Sequence, residues 1–220
     1  MAVEVDVYSD VACPWCYLGK RRLERAVAQV NGRFPVRVEW RSFELRPRLG
    51  GSAAAGSRDA PLRTEAEQDE LLRAAYAEGV HFSAEGLAQD PPVFDAHRLI
   101  WFARQAGRGE ALIESVFRAS LCHGRDIGQH AELERIGEQA GLGADRVREF
   151  LRTGEGRREV EAEMAAGQRL GLSGVPALII DGNIEIIGAR PPEELTAALE
   201  QAAWEKGLLD ADPTPAYRYP

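Results

Sequence analysis

The chain opens with an alternation. Val3, Val5 and Val7 take turns with Glu4, Asp6 and Tyr8, the period of a strand with one apolar face. Residues 9–14 then turn the chain into a helix on which Leu23, Val27 and Val30 recur at i, i+4 and i+7, closed by Asn31-Gly32. A second strand follows over 36–45, with Val36, Val38, Trp40 and Ser42 on one face. Pro47, Gly50, Gly51, Gly56 and a run of three alanines predict a loop over 46–61. From Thr64 to Gly171 the period becomes helical. Thr64 and Glu67 form a capping box, and Leu71, Leu72, Ala75 and Tyr76 supply the expected buried stripe. Further stripes are Leu99/Phe102/Ala103, Leu112/Val116/Phe117/Leu121, Leu133/Ile136/Ala140 and Val147/Phe150/Leu151. Glycines 107, 124, 141, 154 and 171 stand where helices end, since glycine takes the left-handed conformation at little cost. Strand character returns over 177–181, turns at Asp181-Gly182-Asn183, and runs back through Ile184, Ile186 and Ile187. Pro191-Pro192 opens a last helix carrying Leu195, Leu199 and Ala202, ending at Gly207.

The order is therefore β-α-β, a long helical block, then β-β-α. Neither strand-bearing end can cover a sheet alone, so the expected fold is α/β, one mixed sheet assembled from both ends with an all-helical insertion between them. The expected boundaries are 1–50 with 172–207 for the sheet-bearing domain, 62–171 for the insertion and 208–220 for an aperiodic tail.

Composition narrows the functions. With 27 Lys and Arg against 35 Asp and Glu, the net charge is −8, which repels phosphate and argues against nucleic acid or an anionic membrane as partner. No window approaches the ~18 consecutive apolar residues of a bilayer span, and the N-terminus lacks the basic and apolar regions of a signal peptide. A cytoplasmic chain is expected. Three cysteines make no disulfide framework for 220 residues, but two of them stand in Cys13-Pro14-Trp15-Cys16.

A thiolate, not a thiol, attacks a disulfide, so a redox cysteine needs its pKa lowered. Cys13 falls at a helix N-terminus, where unpaired amides and the dipole favour negative charge. Pro14 suits the first helical position. Two intervening residues bring Cys16 round the first turn, within reach of Cys13. Lys20, Arg21, Arg22 and Arg25 against Glu24 make the next turns locally basic, with a smaller expected effect on the thiolate than the helix. Zinc is not expected: the only other pair, Cys122-His123, is adjacent and does not converge readily on one metal.

The stretch from Val5 to Arg22, with its run Ser9 to Arg21, resembles the cytoplasmic FrnE-like branch of the DsbA family. Ala96-His97-Arg98-Leu99, Gly124-Arg125-Asp126-Ile127 and Gly174-Val175-Pro176 are similar to the same branch in the same order. The resemblance implies a thioredoxin fold and thiol–disulfide exchange, with Cys13 and Cys16 as the redox pair and Pro14 and Trp15 as its support. It further implies a cis Pro176 facing the pair and a Val175 backbone that binds substrate. Two departures matter. Trp15 stands where periplasmic oxidants carry histidine, and the buried acid of thioredoxins falls on Val7. Asp10 is then a candidate proton acceptor or, more simply, a turn cap. Cys122 reads as a packed hydrophobe and His97 as structural.

The implied activity is a dithiol–disulfide oxidoreductase working through a mixed disulfide on client protein or small-molecule thiols. No bound cofactor is expected; glutathione or another low-molecular-weight thiol is the expected co-substrate, and the chain a monomer or homodimer. The alternative is a glutathione-dependent isomerase or transferase for a small aromatic or polyketide-type substrate, similar to 2-hydroxychromene-2-carboxylate isomerase and kappa-class glutathione transferases, which typically carry serine where Cys13 stands. A third class is a holdase that uses the groove beside the helices without thiol chemistry.

Overall fold

The computed structural model describes residues 1–46 and 64–210. Most of the loop expected over 46–61, and the tail from 211, lie outside the described residues. The alternating valines form β1 (Val3–Ser9), which runs into α1 (Pro14–Val30) and β2 (Val36–Ser42). β1 and β2 are parallel, Val3 opposite Val36 and Ser9 opposite Ser42. The C-terminal hairpin, β3 (Ala177–Ile180) and β4 (Ile184–Ile187), pairs antiparallel to β1, Val7 opposite Leu178. The sheet order is β2-β1-β3-β4, so the strand nearest the cysteines sits in the middle, held from both ends of the chain. α1 lies beside α9 (Pro192–Glu205), and α9 rests on β1 and β3. Leu23, Ala26 and Val30 of α1, and Leu195, Leu199 and Ala202 of α9, are buried there. Each such Leu or Val contributes roughly 1.5–3 kcal/mol over leaving it in water.

The insertion contains α2 (Glu65–Ala77), α3 (Ala84–Ala88), α4 (Phe94–Gln105), α5 (Gly109–Phe117), α6 (His130–Gln139), α7 (Ala144–Arg152) and α8 (Arg157–Arg169). It meets the sheet-bearing part through α8 against β2 and α2 against α1. Thr64 and Glu67 make the capping box that opens α2. Buried Arg98 ties α4 to the end of α7, its guanidinium donating to Asp95 at 2.6 Å and to the carbonyls of Thr153 and Glu155 at 2.7 and 2.8 Å. The β-α-β, helices, β-β-α order is the one expected.

Several local expectations fail for tertiary reasons. Leu71 and Ala75 are buried, but Leu72 is exposed and Tyr76 is 77% exposed. α2 packs against α1 through a narrow face, and the next positions around the helix face outward. The stripe from Leu112 to Leu121 is not one α-helix: after α5 the backbone widens into a π-helical turn, Arg118–Cys122. Gly154 does not take the left-handed conformation; Gly156 does, at φ +76°. Thr153 ends α7 by side-chain donation to the Phe150 carbonyl at 2.8 Å, which leaves the turn for the residue heading α8. β2 stops at Ser42 rather than 45. Leu208 and Leu209, assigned to the tail, pack on the core, the Leu208 amide donating to the Ala203 carbonyl at 2.8 Å.

Candidate active site

The segment joining β1 to α1 is a tight turn built by one carboxylate. Asp10 accepts from the Ala12 amide and from the Leu45 amide, both at 2.9 Å, while its carbonyl takes the Cys13 amide at 3.0 Å. Asp10 is thus the turn cap, and it also fastens the end of β2 to the start of α1. Cys13 is the N-cap residue in extended conformation and Pro14 the first residue of the helix. The Cys13 carbonyl accepts from the Cys16 amide at 3.0 Å, which closes the first turn and brings the two thiols together unbonded.

The environment separates them. Cys13 is 9% exposed and Cys16 is 0% exposed. The Cys16 thiol donates a hydrogen bond that lowers the Cys13 pKa. The amides of Trp15 and Cys16 act in the same direction, against burial and the charge of Asp10. Cys16 is pushed well above its ordinary value by burial, then by donating to Cys13 and by the charge there. The neighbouring thiol therefore outweighs the helix amides, which the sequence argument ranked first.

The basic stretch is paired with carboxylates rather than aimed at the thiolate. Lys20 is 1% exposed and ion-paired to Glu24, to Glu110 at 3.0 Å and to Glu114 at 3.0 Å. Arg21 faces Glu24 at 3.0 Å, and Arg22 and Arg25 share Glu78 at 3.0 and 2.8 Å. The expected local positive charge is cancelled by carboxylates of α1 itself, the α2 C-cap and α5. Glu114 also accepts from the Tyr17 hydroxyl at 2.8 Å, and Glu110 from the Trp40 indole at 3.1 Å.

Cys13 and Pro14 line a cleft of about 750 Å³ whose opposite wall is the insertion, with Leu87, Pro92, Val93, Phe94 and Leu121. Trp15, Cys16, Val175 and Pro176 do not line it. Trp15 is half-buried against the core. The Val175-Pro176 bond is cis. Pro176 packs against α1 at Gly19, so closely that a Cβ on Gly19 would lie 2.6 Å from the Pro176 ring. Val175 is buried just ahead of the β3 ladder.

The remaining candidates sit apart from the pair. His97 is buried, its Nε2 has no hydrogen-bond partner among the described residues, and burial lowers its pKa against the pull of Asp10 and Glu163. Cys122 ends the π turn half-buried, with burial raising its pKa. Among the described residues no three His, Cys, Asp or Glu side chains come together as a metal-ligand set, and no helix is long and apolar enough to cross a membrane. Sequence reasoning missed Glu78, Glu110 and Glu114, because nothing local marks a carboxylate that will meet a cation from another element.

A family model described as a DSBA-like thioredoxin domain matches residues 4–200. The crystal structure of a probable DsbA oxidoreductase from Streptomyces coelicolor is 33% identical with a TM-score of 0.78, over 96% of this chain and 92% of that one. YwbO of Bacillus subtilis (strain 168), an uncharacterized protein, is 27% identical over 208 residues, 94% of this chain and 100% of its own. A 2-hydroxychromene-2-carboxylate isomerase is similar in fold, at 18% identity and a TM-score of 0.75 over 94% of this chain and all of that one.

Proposed function

The chain belongs to the DsbA-like thioredoxin family of thiol oxidoreductases and isomerases, and from that premise we propose that it is a dithiol–disulfide oxidoreductase of the FrnE-like branch acting through Cys13 and Cys16. The observation that carries the reading is the asymmetry of the two thiols. Cys13 reaches the cleft with its pKa lowered, and Cys16 is fully buried with its pKa raised. That division suits an attacking and a resolving sulfur.

The Cys13 thiolate attacks one sulfur of a partner disulfide. The partner's S–S bond breaks, a mixed disulfide forms, and the departing sulfur leaves as a thiolate that takes a proton from water. Attack removes the negative charge from Cys13, and with it one of the influences that hold the Cys16 proton in place. Cys16 then gives its proton to water and attacks Cys13, releasing the second partner sulfur as a thiolate and leaving the Cys13–Cys16 disulfide. The partner gains two electrons and the protein loses two. Glutathione or another small thiol returns the pair to the dithiol, and the reverse sequence oxidises a client. Val175 offers backbone groups and Pro176 a buried ledge beside α1.

Cys16→Ala keeps the attack and removes resolution, so covalent client complexes should accumulate on non-reducing gels of acid-quenched cells. They should be missing from Cys13→Ser/Cys16→Ala. If no variant traps a partner, the glutathione-dependent isomerase reading takes precedence, and turnover of a small aromatic substrate with glutathione would establish it.

A further inference from the structure

One polar group of the insertion stands open behind the cysteine turn. His97, on α4, is 2% exposed, and its Nε2 has no hydrogen-bond partner among the described residues. The Phe43 carbonyl takes a hydrogen bond from the ring. With Nε2 open, that donor is Nδ1, so the open nitrogen is a bare acceptor. Phe43 belongs to the stretch that fastens Asp10. Its amide donates to the Ser9 carbonyl at 3.1 Å, and two residues on the Leu45 amide donates to the Asp10 carboxylate at 2.9 Å. His97 and Asp10 therefore grip one short piece of chain after β2, one at each end. Asp10 lines the cleft with Cys13, and its amide donates to the Cys16 sulfur. Its charge holds the protons on both thiols.

Two charges lead at the ring, Asp10 from the β1–α1 turn and Glu163 from α8. Glu163 is already answered: it accepts from the Ser42 amide at 2.9 Å and from Arg104, with Arg41 at 3.7 Å. On α4 itself Asp95 and Arg98 pair at 2.6 Å. Of the other helices packed on α4, α5 turns Glu110 and Glu114 to Lys20, and α6 and α7 join through Glu134 and Arg148 at 2.9 Å. Asp10 accepts only from the Ala12 and Leu45 amides among the described residues, and no cation answers it there. A buried acceptor with nothing to accept costs stability, and a proton on Nε2 would remove that cost while answering Asp10.

We propose that His97 is a positioning residue for the thiol pair, acting through Asp10: a proton taken up at Nε2 offsets the Asp10 carboxylate and relieves its repulsion of the Cys13 thiolate. The inference rests on the oxidoreductase reading and adds a pH-dependent setting to that site. Burial holds His97 below its ordinary value of 6.5, so at neutral pH the ring is uncharged and the turn alone sets reactivity. Below the folded His97 value the imidazolium faces Asp10, and the thiolate persists further into mild acid than it would beside Asp10 alone.

The test follows alkylation of Cys13 by iodoacetamide, an uncharged probe, in the full, reduced chain from mildly acid to mildly alkaline pH, with the site read by mass spectrometry. His97→Asn keeps a side-chain N–H for the Phe43 carbonyl and removes the titrating nitrogen. Wild type and variant should agree near pH ~8 and part below pH ~6, the variant becoming about threefold slower near pH ~4.5. His81→Asn, at an exposed histidine beyond α2, should follow wild type throughout. A packing role alone would change the rate by one factor at every pH, and that result overturns the proposal, as does a profile identical to wild type. A second measurement needs no variant. NMR titration of the His97 ring in the reduced wild-type chain should show Nε2 taking up a proton between pH ~4 and 6.5. A ring that stays uncharged until the chain unfolds in acid overturns the proposal. Failure of Cys13 to form a mixed disulfide with hydroxyethyl disulfide at neutral pH instead overturns the oxidoreductase reading.

Discussion

The first turn of α1 and the two turns below it share a helix but answer to different parts of the chain. At Cys13–Cys16 the polar partners come from the turn itself: the Asp10 carboxylate and carbonyl, the Trp15 and Cys16 amides, and the other thiol. At Lys20–Arg25 they come largely from elsewhere, Arg22 and Arg25 reaching Glu78 across 56 and 53 residues and Lys20 reaching α5. Reactivity is set by local geometry, and the mooring of the reactive helix is set by tertiary contact. Disturbing the mooring should therefore cost stability far more than it changes thiol chemistry.

The largest expected effect is at Lys20. Burial alone would lower its pKa, and its three carboxylates more than reverse that. Removing one member of a buried charge cluster strands the others, at about 3–5 kcal/mol for a fully buried set. Here Glu24 and Glu110 are more than a third exposed and can turn to water, so Lys20→Met should cost about 2–3 kcal/mol, borne mainly by Glu114. Urea unfolding should show a lower midpoint with unchanged slope, and Lys20→Met/Glu114→Gln should recover part of the loss. The pH dependence has two limbs. Lys20 is raised above 10.5 in the fold, so its contribution is complete below about 10.5 and is lost as pH climbs through the folded value. Glu114 is depressed below 4.5, so its contribution is present above about 4.5 and is lost as pH falls through the folded value. Both limbs should flatten in Lys20→Met, while Cys13 alkylation at neutral pH stays within about twofold of wild type. A large change in alkylation would break the separation between the two halves of the helix.

Gly19 lies at their boundary and offers a smaller, sharper probe. A methyl group there would meet the Pro176 ring at 2.6 Å, so helix or proline must shift. Overpacking costs about 1–3 kcal/mol, and replacing a mid-helix glycine by alanine returns about 0.5–1 kcal/mol. Gly19→Ala should lose about 1 kcal/mol net in urea. A gain in stability would mean that the close approach carries no weight.

Legibility in the sequence divides along the same line. β1, α1, the Thr64 capping box, the hairpin and the cysteine pair each depend on residues within a turn or two, and their patterns are plain in the chain. The charge balance of α1 is not legible locally, because its closing carboxylates lie at the α2 C-cap and in α5. Leu72 and Tyr76 looked buried because a periodicity shows which face is apolar and not how wide a neighbour will cover it. Gly154 and Gly156 are equivalent by composition, and the left-handed turn falls on Gly156, which lies against the Trp101 ring, after Thr153 has closed α7. A groove beside the helices is an expectation of the sequence, but its lining is not legible there, since its walls come from the β1–α1 turn, the end of β2, α3, α4, α8 and the segments between them.

Cys122 should show the smallest effect, and it tests whether the thiol chemistry is confined to the first turn of α1. It stands in the π turn, half-buried, and burial raises its pKa while Arg118 draws it down only in part. A thiol held protonated attacks disulfides slowly. Removing its sulfur leaves a space that is partly open to solvent, so Cys122→Ala should cost about 0.5–1 kcal/mol, less than truncation of a fully buried side chain. Cys122 acts on Tyr17, whose hydroxyl is committed to Glu114, and it is not among the leading influences on Cys13 or Cys16. Cys16→Ala/Cys122→Ala should therefore trap the same partners as Cys16→Ala, band for band. Disappearance of the trapped bands with urea stability intact would bring the insertion's thiol into the exchange and end the claim that reactivity is a local property of α1.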